Sequence, residues 1–320
     1  REYLSLGMAS KSIADGSAAL SIAGRTIMNK KALLCFPHPW LTAWVQLAVG
    51  AALMPVLWRL GLVAPPEGGL TAAKVRALLP TCVFHLVAHV SACASFSLGS
   101  VSFLQVVKAA EPACAVVLLT LFFGKRYSAL TWLTLVPVVG GVVASSAAET
   151  SFSLASFLLA MTSNVASALR GATSKDLQRD LGLAGINLYA AIALVSTVLL
   201  LPVSLLAEGR HLLPALRAAP ALLEEHGILL FGTWRVGFAA YLGVCSLFYH
   251  FYNQTSYQAL ADLTPLSHSI ANTVKRVVII VASLVVFRNP ITVQGAVSAA
   301  VAVGGTLLYS LAQQREANRA

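Results

Sequence analysis

The chain has 320 residues, 58% of them hydrophobic and only 11% charged, against roughly 25% charged in an ordinary soluble domain. That composition excludes a soluble globular fold and points to an all-α, polytopic membrane protein. The formal net charge of +10, from 22 Lys/Arg against 12 Asp/Glu, marks the retained-side loops of such a protein rather than a nucleic-acid partner.

Apolar runs bounded by charges, Pro and Gly predict ten spans, at 8–29, 39–62, 74–97, 101–124, 128–148, 152–174, 184–206, 233–258, 264–288 and 291–312. The first is the least apolar, holding Lys11, Asp15 and Arg25. The third carries His85 and His89 at i, i+4, a spacing that can ligate metal. No third ligand or nearby carboxylate accompanies them, so no metal site is expected, and His89 reads better as a hydrogen-bond donor to an anion. The fourth span places Ser102, Gln105, Lys108 and Glu111 at intervals of three, and here Glu111 could simply neutralise Lys108. Arg170 in the sixth span either binds a ligand or pins helices together. Residues 207–232 read equally as a short amphipathic helix along the membrane surface or as a plain loop. In the eighth span, Tyr249, Tyr252 and Asn253 lie on adjoining faces, and an interfacial aromatic belt and Tyr252 as a ligand contact account for them equally well.

The ninth span contains "ANTVKRVVIIVASLVVF", in which Lys275 and Arg276 stand side by side near mid-membrane. Each cation there costs roughly 2.5–3.5 kcal/mol on insertion scales. Thr264, His268, Asn272 and Lys275/Arg276 share one helix face, and the other face is Leu, Ile and Val. Such a stripe faces protein or water. Snorkelling accounts poorly for Lys275, which lies far from both ends of its span. The five cysteines are scattered without a CxxC and read as small buried hydrophobes. The start at Arg1, without Met, leaves a removed targeting peptide open.

Shifting the chain by 164 residues aligns Phe123 with Phe287, Gly140 and Gly141 with Gly304 and Gly305, and Ser146 with Ser310. The fourth span then matches the ninth and the fifth matches the tenth, so the repeat unit has five helices. Two consecutive odd units cross in opposite senses, which predicts ten helices in two inverted halves, 1–150 and 151–320, with a site between them near the midplane. In that register Glu111 aligns with Lys275, and Lys108 lies one turn earlier, so related helices bring cations to similar depth. Convergent Lys and Arg donors suit phosphate, and equally carboxylate, sulfate or a nucleotide. The loop charges favour both termini on the retained side.

At these residues the chain resembles the plastidic phosphate translocators, a branch of the drug/metabolite and nucleotide-sugar transporter superfamily. The resemblance covers nearly the whole chain. It is carried by "NKKALLCFPHPWLTAWVQLAVG", "HVSACASFSLGSVSFLQVVKAAEP", "SNVASALRGATSKDL", "FYHFYNQTSYQAL" and "TPLSHSIANTVKRVVIIVASLVVF". It implies counter-exchange of inorganic phosphate for phosphorylated three-, five- or six-carbon compounds across the inner plastid envelope. Lys108, Lys275 and Arg276 would then hold the phosphate, and His89 and Tyr252 the rest of the substrate, with Arg170 also placed in the pattern. Two departures stand out: Phe103, Leu104 and Gln105 replace a common Phe-Thr-His, and Ala92 stands where triose-phosphate members tend to carry a hydroxyl. Three-carbon substrates are expected. Glucose 6-phosphate, pentose-phosphate or nucleotide-sugar transport are the alternatives. The partners implied are phosphate, phosphorylated metabolites and the bilayer, with no nucleic acid and no cofactor, and a monomer is compatible. The acidic residues within spans, Asp15, Glu111 and Asp262, are too far apart in sequence to suggest an enzyme's site.

Overall fold

The fold is taken from a computed structural model that describes residues 17–66, 68–183, 185–230, 235–262 and 265–318. Among these the chain forms twelve α-helices: α1 Ser17–Cys35, α2 Pro39–Arg59, α3 Ala72–Leu98, α4 Val101–Lys108, α5 Glu111–Phe123, α6 Ala129–Ala148, α7 Leu154–Leu181, α8 Gly185–Glu208, α9 Leu212–Glu225, α10 Phe238–Asp262, α11 Pro265–Phe287 and α12 Val293–Ala317. Six stretches are long and apolar enough to cross a membrane: α2, α3, α4 with α5, α6, α8 through α9, and α12. The other long helices, α1, α7, α10 and α11, carry Arg25, Arg170, Tyr252 and the Lys275–Arg276 pair.

Local sequence accounts for the helix boundaries. Thr71, Ser100, Ser128, Ser153 and Thr292 each stand at an N-cap and accept a backbone N–H from the first turn, satisfying a donor that has no intrahelical partner. Gly124 and Gly182 end α5 and α7 in the left-handed conformation that glycine reaches without a Cβ penalty. The expected fourth span, 101–124, is broken in the middle. Ala109 and Ala110 make tight bonds to the Val106 and Val107 carbonyls, and the chain restarts at Glu111 with Pro112 in the first turn. Pro112 has no N–H to continue the ladder, so "KAAEP" divides the span. Lys108 thereby sits in the last turn of one helix and Glu111 in the first of the next, each favoured by the local helix dipole.

Other boundaries move as well. The first helix runs on to Cys35 rather than ending near residue 29, and Lys11 and Asp15 lie outside the described residues. The sixth span extends to Leu181. The 207–232 segment contains a real helix, α9, joined to α8 by a 3₁₀ turn at Gly209–His211. Its Ala219 and Leu223 are buried against α1 and the start of α10, and Leu213 and Leu216 stay exposed.

The helices pack in a definite pattern. α3 lies along α7 and against α8, and α6 lies along α12. α2 contacts α8 and α10, α1 contacts α10 and α11, α4 contacts α11, and α5 contacts α7. The α6–α12 crossing is built on glycine. A methyl added to Gly141 would stand 2.5 Å from the Ala302 nitrogen, and one added to Gly305 would stand 2.9 Å from the Val138 nitrogen. Small residues let two backbones approach this closely within a membrane.

Candidate functional site

A cavity of about 610 Å³ lies between the helices, and Lys108, Lys275, Arg276, His89, Tyr252, Ala92 and Arg170 all line it. Residues far apart in sequence, on α3, α4, α7, α10 and α11, are thus brought to one place. The cavity reaches the surface beside Phe123 and Lys125, which are exposed. Beyond Lys108, away from that mouth, a dry cluster that includes Val101, Phe103, Leu104, Ile279, Ile280 and Val303 fills the interior. Lys30 of α1 ties the same region together, donating to the Phe96 and Gly99 carbonyls at 2.6 and 3.1 Å. These are carbonyls at the end of α3, where a cation is favoured.

The charge inside is lopsided. Among the described residues, Arg25, Lys108, Lys125, Arg170, Lys275 and Arg276 line the cavity against one carboxylate, Glu111. Lys275 Nζ donates to Tyr252 Oη at 3.0 Å and to Asn272 Oδ1 at 2.7 Å. Arg276 Nη2 pairs with Glu111 Oε2 at 3.2 Å. Glu111 therefore pairs across to α11, to Arg276, rather than directly with Lys108. Lys108 Nζ instead donates to Ser163 Oγ at 3.0 Å, and that hydroxyl donates to the Ala88 carbonyl at 2.8 Å. Asn164 Nδ2 donates to the Val107 carbonyl at 2.9 Å, a second bond to an oxygen that also accepts from the Ala110 N–H at the helix break. Neutral oxygens thus hold Lys108 and Lys275 in place. Among the described residues neither is matched by a carboxylate of its own, so both keep charge to give to an anion.

The histidines and tyrosines resolve as interior groups. Arg170 Nη1 lies 3.0 Å from His85 Nδ1, and His85 Nε2 lies 3.3 Å from Tyr249 Oη. A guanidinium only donates, so Nδ1 accepts, and the ring proton sits on Nε2 and points at Tyr249. Arg170 therefore pins α7 to α3 and also lines the cavity. His85 and His89 stack with ring centroids 6.2 Å apart, and no cluster of three metal-ligating residues exists among the described residues. Tyr249 is buried and stacks on His89 at 4.2 Å. An interfacial belt would leave such rings at the surface, and here Tyr249, Tyr252 and Asn253 all line the cavity. Thr264 and the His268 side chain, which share the polar face of the ninth span, lie outside the described residues.

Sequence reading passed over Arg25. Its guanidinium carbon stands 4.2 Å over the Tyr252 ring and 5.5 Å over that of Tyr249, an arrangement in which the ring quadrupoles attract the cation. The available signal was a charge within an apolar run, the same one that exposed Lys275. It was obscured because the first span holds several charges.

Comparison with known proteins bears on this arrangement. The profile of the Triose-phosphate Transporter family matches residues 20–310. The xylulose 5-phosphate/phosphate translocator of Arabidopsis thaliana is 40% identical over 291 residues, 91% of this chain and 67% of its own. The glucose-6-phosphate/phosphate translocator 2 of the same plant is 37% identical, over 90% of this chain and 71% of its own. A triose phosphate/phosphate translocator of non-green plastids from Brassica oleracea var. botrytis is 34% identical, over 89% and 68%. All three are chloroplastic. A solved crystal structure aligns over 94% of this chain and 98% of its own, with 15% identity and a TM-score of 0.49.

Proposed function

This chain belongs to the triose-phosphate transporter family, transporters and not enzymes, and on that premise we propose that it exchanges inorganic phosphate for phosphorylated three-carbon compounds across the inner plastid envelope. One observation carries the reading: Lys108, Lys275 and Arg276, from two helices, converge on one cavity where, among the described residues, a single carboxylate faces them. In this reading the phosphate takes over the donors now resting on Ser163, Tyr252 and Asn272 and competes with Glu111 for Arg276. His89, Ala92, Arg170 and Tyr252 surround the rest of the substrate.

We take the architecture to be ten spans in two inverted halves, 1–150 and 151–320, moving about the site between them. α4 with α5 counts as the fourth span, and α8 with α9 as the seventh. The helix pairing supports this. Exchanging each span with the one five places on turns α3–α7 into α10–α1, α1–α11 into α7–α5, and α3–α8 into α10–α2. It leaves α2–α8, α4–α11 and α6–α12 unchanged, and each of these pairs is in contact. The glycine contacts follow the same rule, since Gly141 against Ala302 becomes Gly305 against Val138 under the 164-residue shift.

The same features explain exchange rather than net flow. With the site empty, several like charges face one another, and closing the cavity over them is unfavourable. A bound dianion removes that repulsion, so the loaded carrier changes access and the empty one does not.

A second reading has support of its own. The relatives that are 40% and 37% identical are named for xylulose 5-phosphate and glucose 6-phosphate, and Ala92 leaves room without offering a donor. A pentose or hexose phosphate then replaces the triose. Reconstitution distinguishes the two: labelled phosphate uptake is measured against internal triose phosphate, 3-phosphoglycerate, phosphoenolpyruvate, xylulose 5-phosphate and glucose 6-phosphate. Fastest exchange with the first two supports the three-carbon reading, and fastest exchange with a sugar phosphate supports the second. No exchange above substrate-free vesicles would overturn both.

A further inference from the structure

Four buried polar atoms in the cavity have no hydrogen-bond partner among the described residues: Arg25 Nε, His89 Nε2, Ser174 Oγ and Tyr257 Oη. A buried unpaired donor is costly and rare, and in a binding cavity the missing acceptor is the ligand's to supply. The Arg25 and His89 atoms lie at the same end. Tyr249 stacks on His89 at 4.2 Å and carries the Arg25 guanidinium at 5.5 Å, so the two lie on one aromatic platform. Ala92, one turn along α3 from His89, borders it.

The opposite end is formed by Lys108, Lys275 and Arg276. Tyr252 stands between the two ends, holding Lys275 through its hydroxyl at 3.0 Å and Arg25 over its ring face at 4.2 Å. Lys275 Nζ is 5.4 Å from the centre of that ring, so Arg25 and Lys275 are no more than about 10 Å apart. Among the described residues the cavity's only carboxylate, Glu111, is engaged with Arg276, and none of them places a carboxylate beside Arg25 there.

We propose that Arg25 is a specificity-determining residue: with His89 it forms a second anion subsite, which receives the carboxylate of a phosphorylated carboxylic acid held by its phosphate at Lys108, Lys275 and Arg276. The proposal rests on the exchange reading above. Its chemistry follows from the guanidinium, a planar fork of donors that matches a carboxylate and stands over the Tyr252 ring. Its dimensions follow from the substrate. A three-carbon acid phosphate places its carboxyl carbon roughly 5 Å from phosphorus, and with a hydrogen bond at each end it spans the two groups of cations. A neutral hydroxymethyl in that place accepts more weakly and leaves the Arg25 charge uncompensated.

The test compares 3-phosphoglycerate with glycerol 3-phosphate, which differ in carboxylate against hydroxymethyl at similar length. Both compete with labelled phosphate for exchange by the full chain in liposomes, and both are titrated against the detergent-purified protein. The wild type should prefer 3-phosphoglycerate, and Arg25→Gln should reduce that preference roughly ten- to hundredfold. Arg25→Lys, which keeps the charge but not the fork, should fall between them. A preference that stays within about twofold in Arg25→Gln, or a parallel loss of both ligands, would overturn the subsite while leaving phosphate exchange standing. If Arg25→Gln does not fold, equal affinity of the wild type for the two ligands overturns it instead. A wild-type chain that takes up no phosphate refutes the exchange reading and this one with it.

Discussion

Gly141→Ala tests the crossing on which the proposed halves meet. The added methyl would stand 2.5 Å from the Ala302 nitrogen and 2.8 Å from its Cα, where carbon contacts normally begin near about 3.5 Å. Both obstacles are backbone, so relief requires α6 and α12 to separate by about 1 Å. Two effects then oppose each other. Alanine is favoured over glycine in a helix by about 1 kcal/mol, and overpacking costs about 1–3 kcal/mol. Gly140→Ala supplies the control, because a methyl there meets nothing within 4 Å. It keeps the propensity gain and escapes the clash. The difference between the two variants should therefore be about 1–3 kcal/mol. Thermal midpoints of the detergent-purified protein read it directly: Gly140→Ala at or above wild type, and Gly141→Ala several degrees below Gly140→Ala. Equal midpoints would refute the close approach and the weight placed on the glycine pairs.

The remaining predictions concern the cavity. Lys275→Ala, Arg276→Ala and Lys108→Ala should each reduce phosphate exchange by a factor of about 30 to several thousand, the equivalent of losing roughly 2–5 kcal/mol from a buried charge pair. Reconstituted uptake measures this, and near-normal exchange in any of them would move the phosphate site elsewhere. Ala92→Thr adds a donor beside His89 and should raise the ratio of 3-phosphoglycerate to glucose 6-phosphate exchange by one hydrogen bond, roughly 0.5–1.5 kcal/mol. A flat or falling ratio would remove position 92 from the substrate's surroundings.

Much of the site was legible because charge in an apolar run is costly. Lys275, Arg276 and Lys108 stood out on that ground alone, and the 164-residue register brought their helices to similar depth before any contact was known. The same rule failed for Arg25. Lys11 and Asp15 made its span look poor, so its charge read as a weak helix rather than as a half-buried cation over the Tyr252 ring. Register reasoning also has limited resolution. It set Glu111 level with Lys275, whereas the pairing falls one residue on, at Arg276, because a side-chain contact depends on rotation about the helix and not on alignment. The break at Ala109 and Ala110 had a visible cause in Pro112. Hydropathy averages over such a residue, so the fourth span read as continuous. The α9 helix was half legible, since "LLPALRAAPALLEE" has helical periodicity, and two prolines left a loop equally acceptable.

The central claim is that the carrier changes access only when loaded. It is tested most directly by labelled phosphate uptake into proteoliposomes that do or do not contain phosphate. The account predicts rapid uptake into preloaded vesicles and almost none into empty ones. Equally fast uptake into empty vesicles would contradict it.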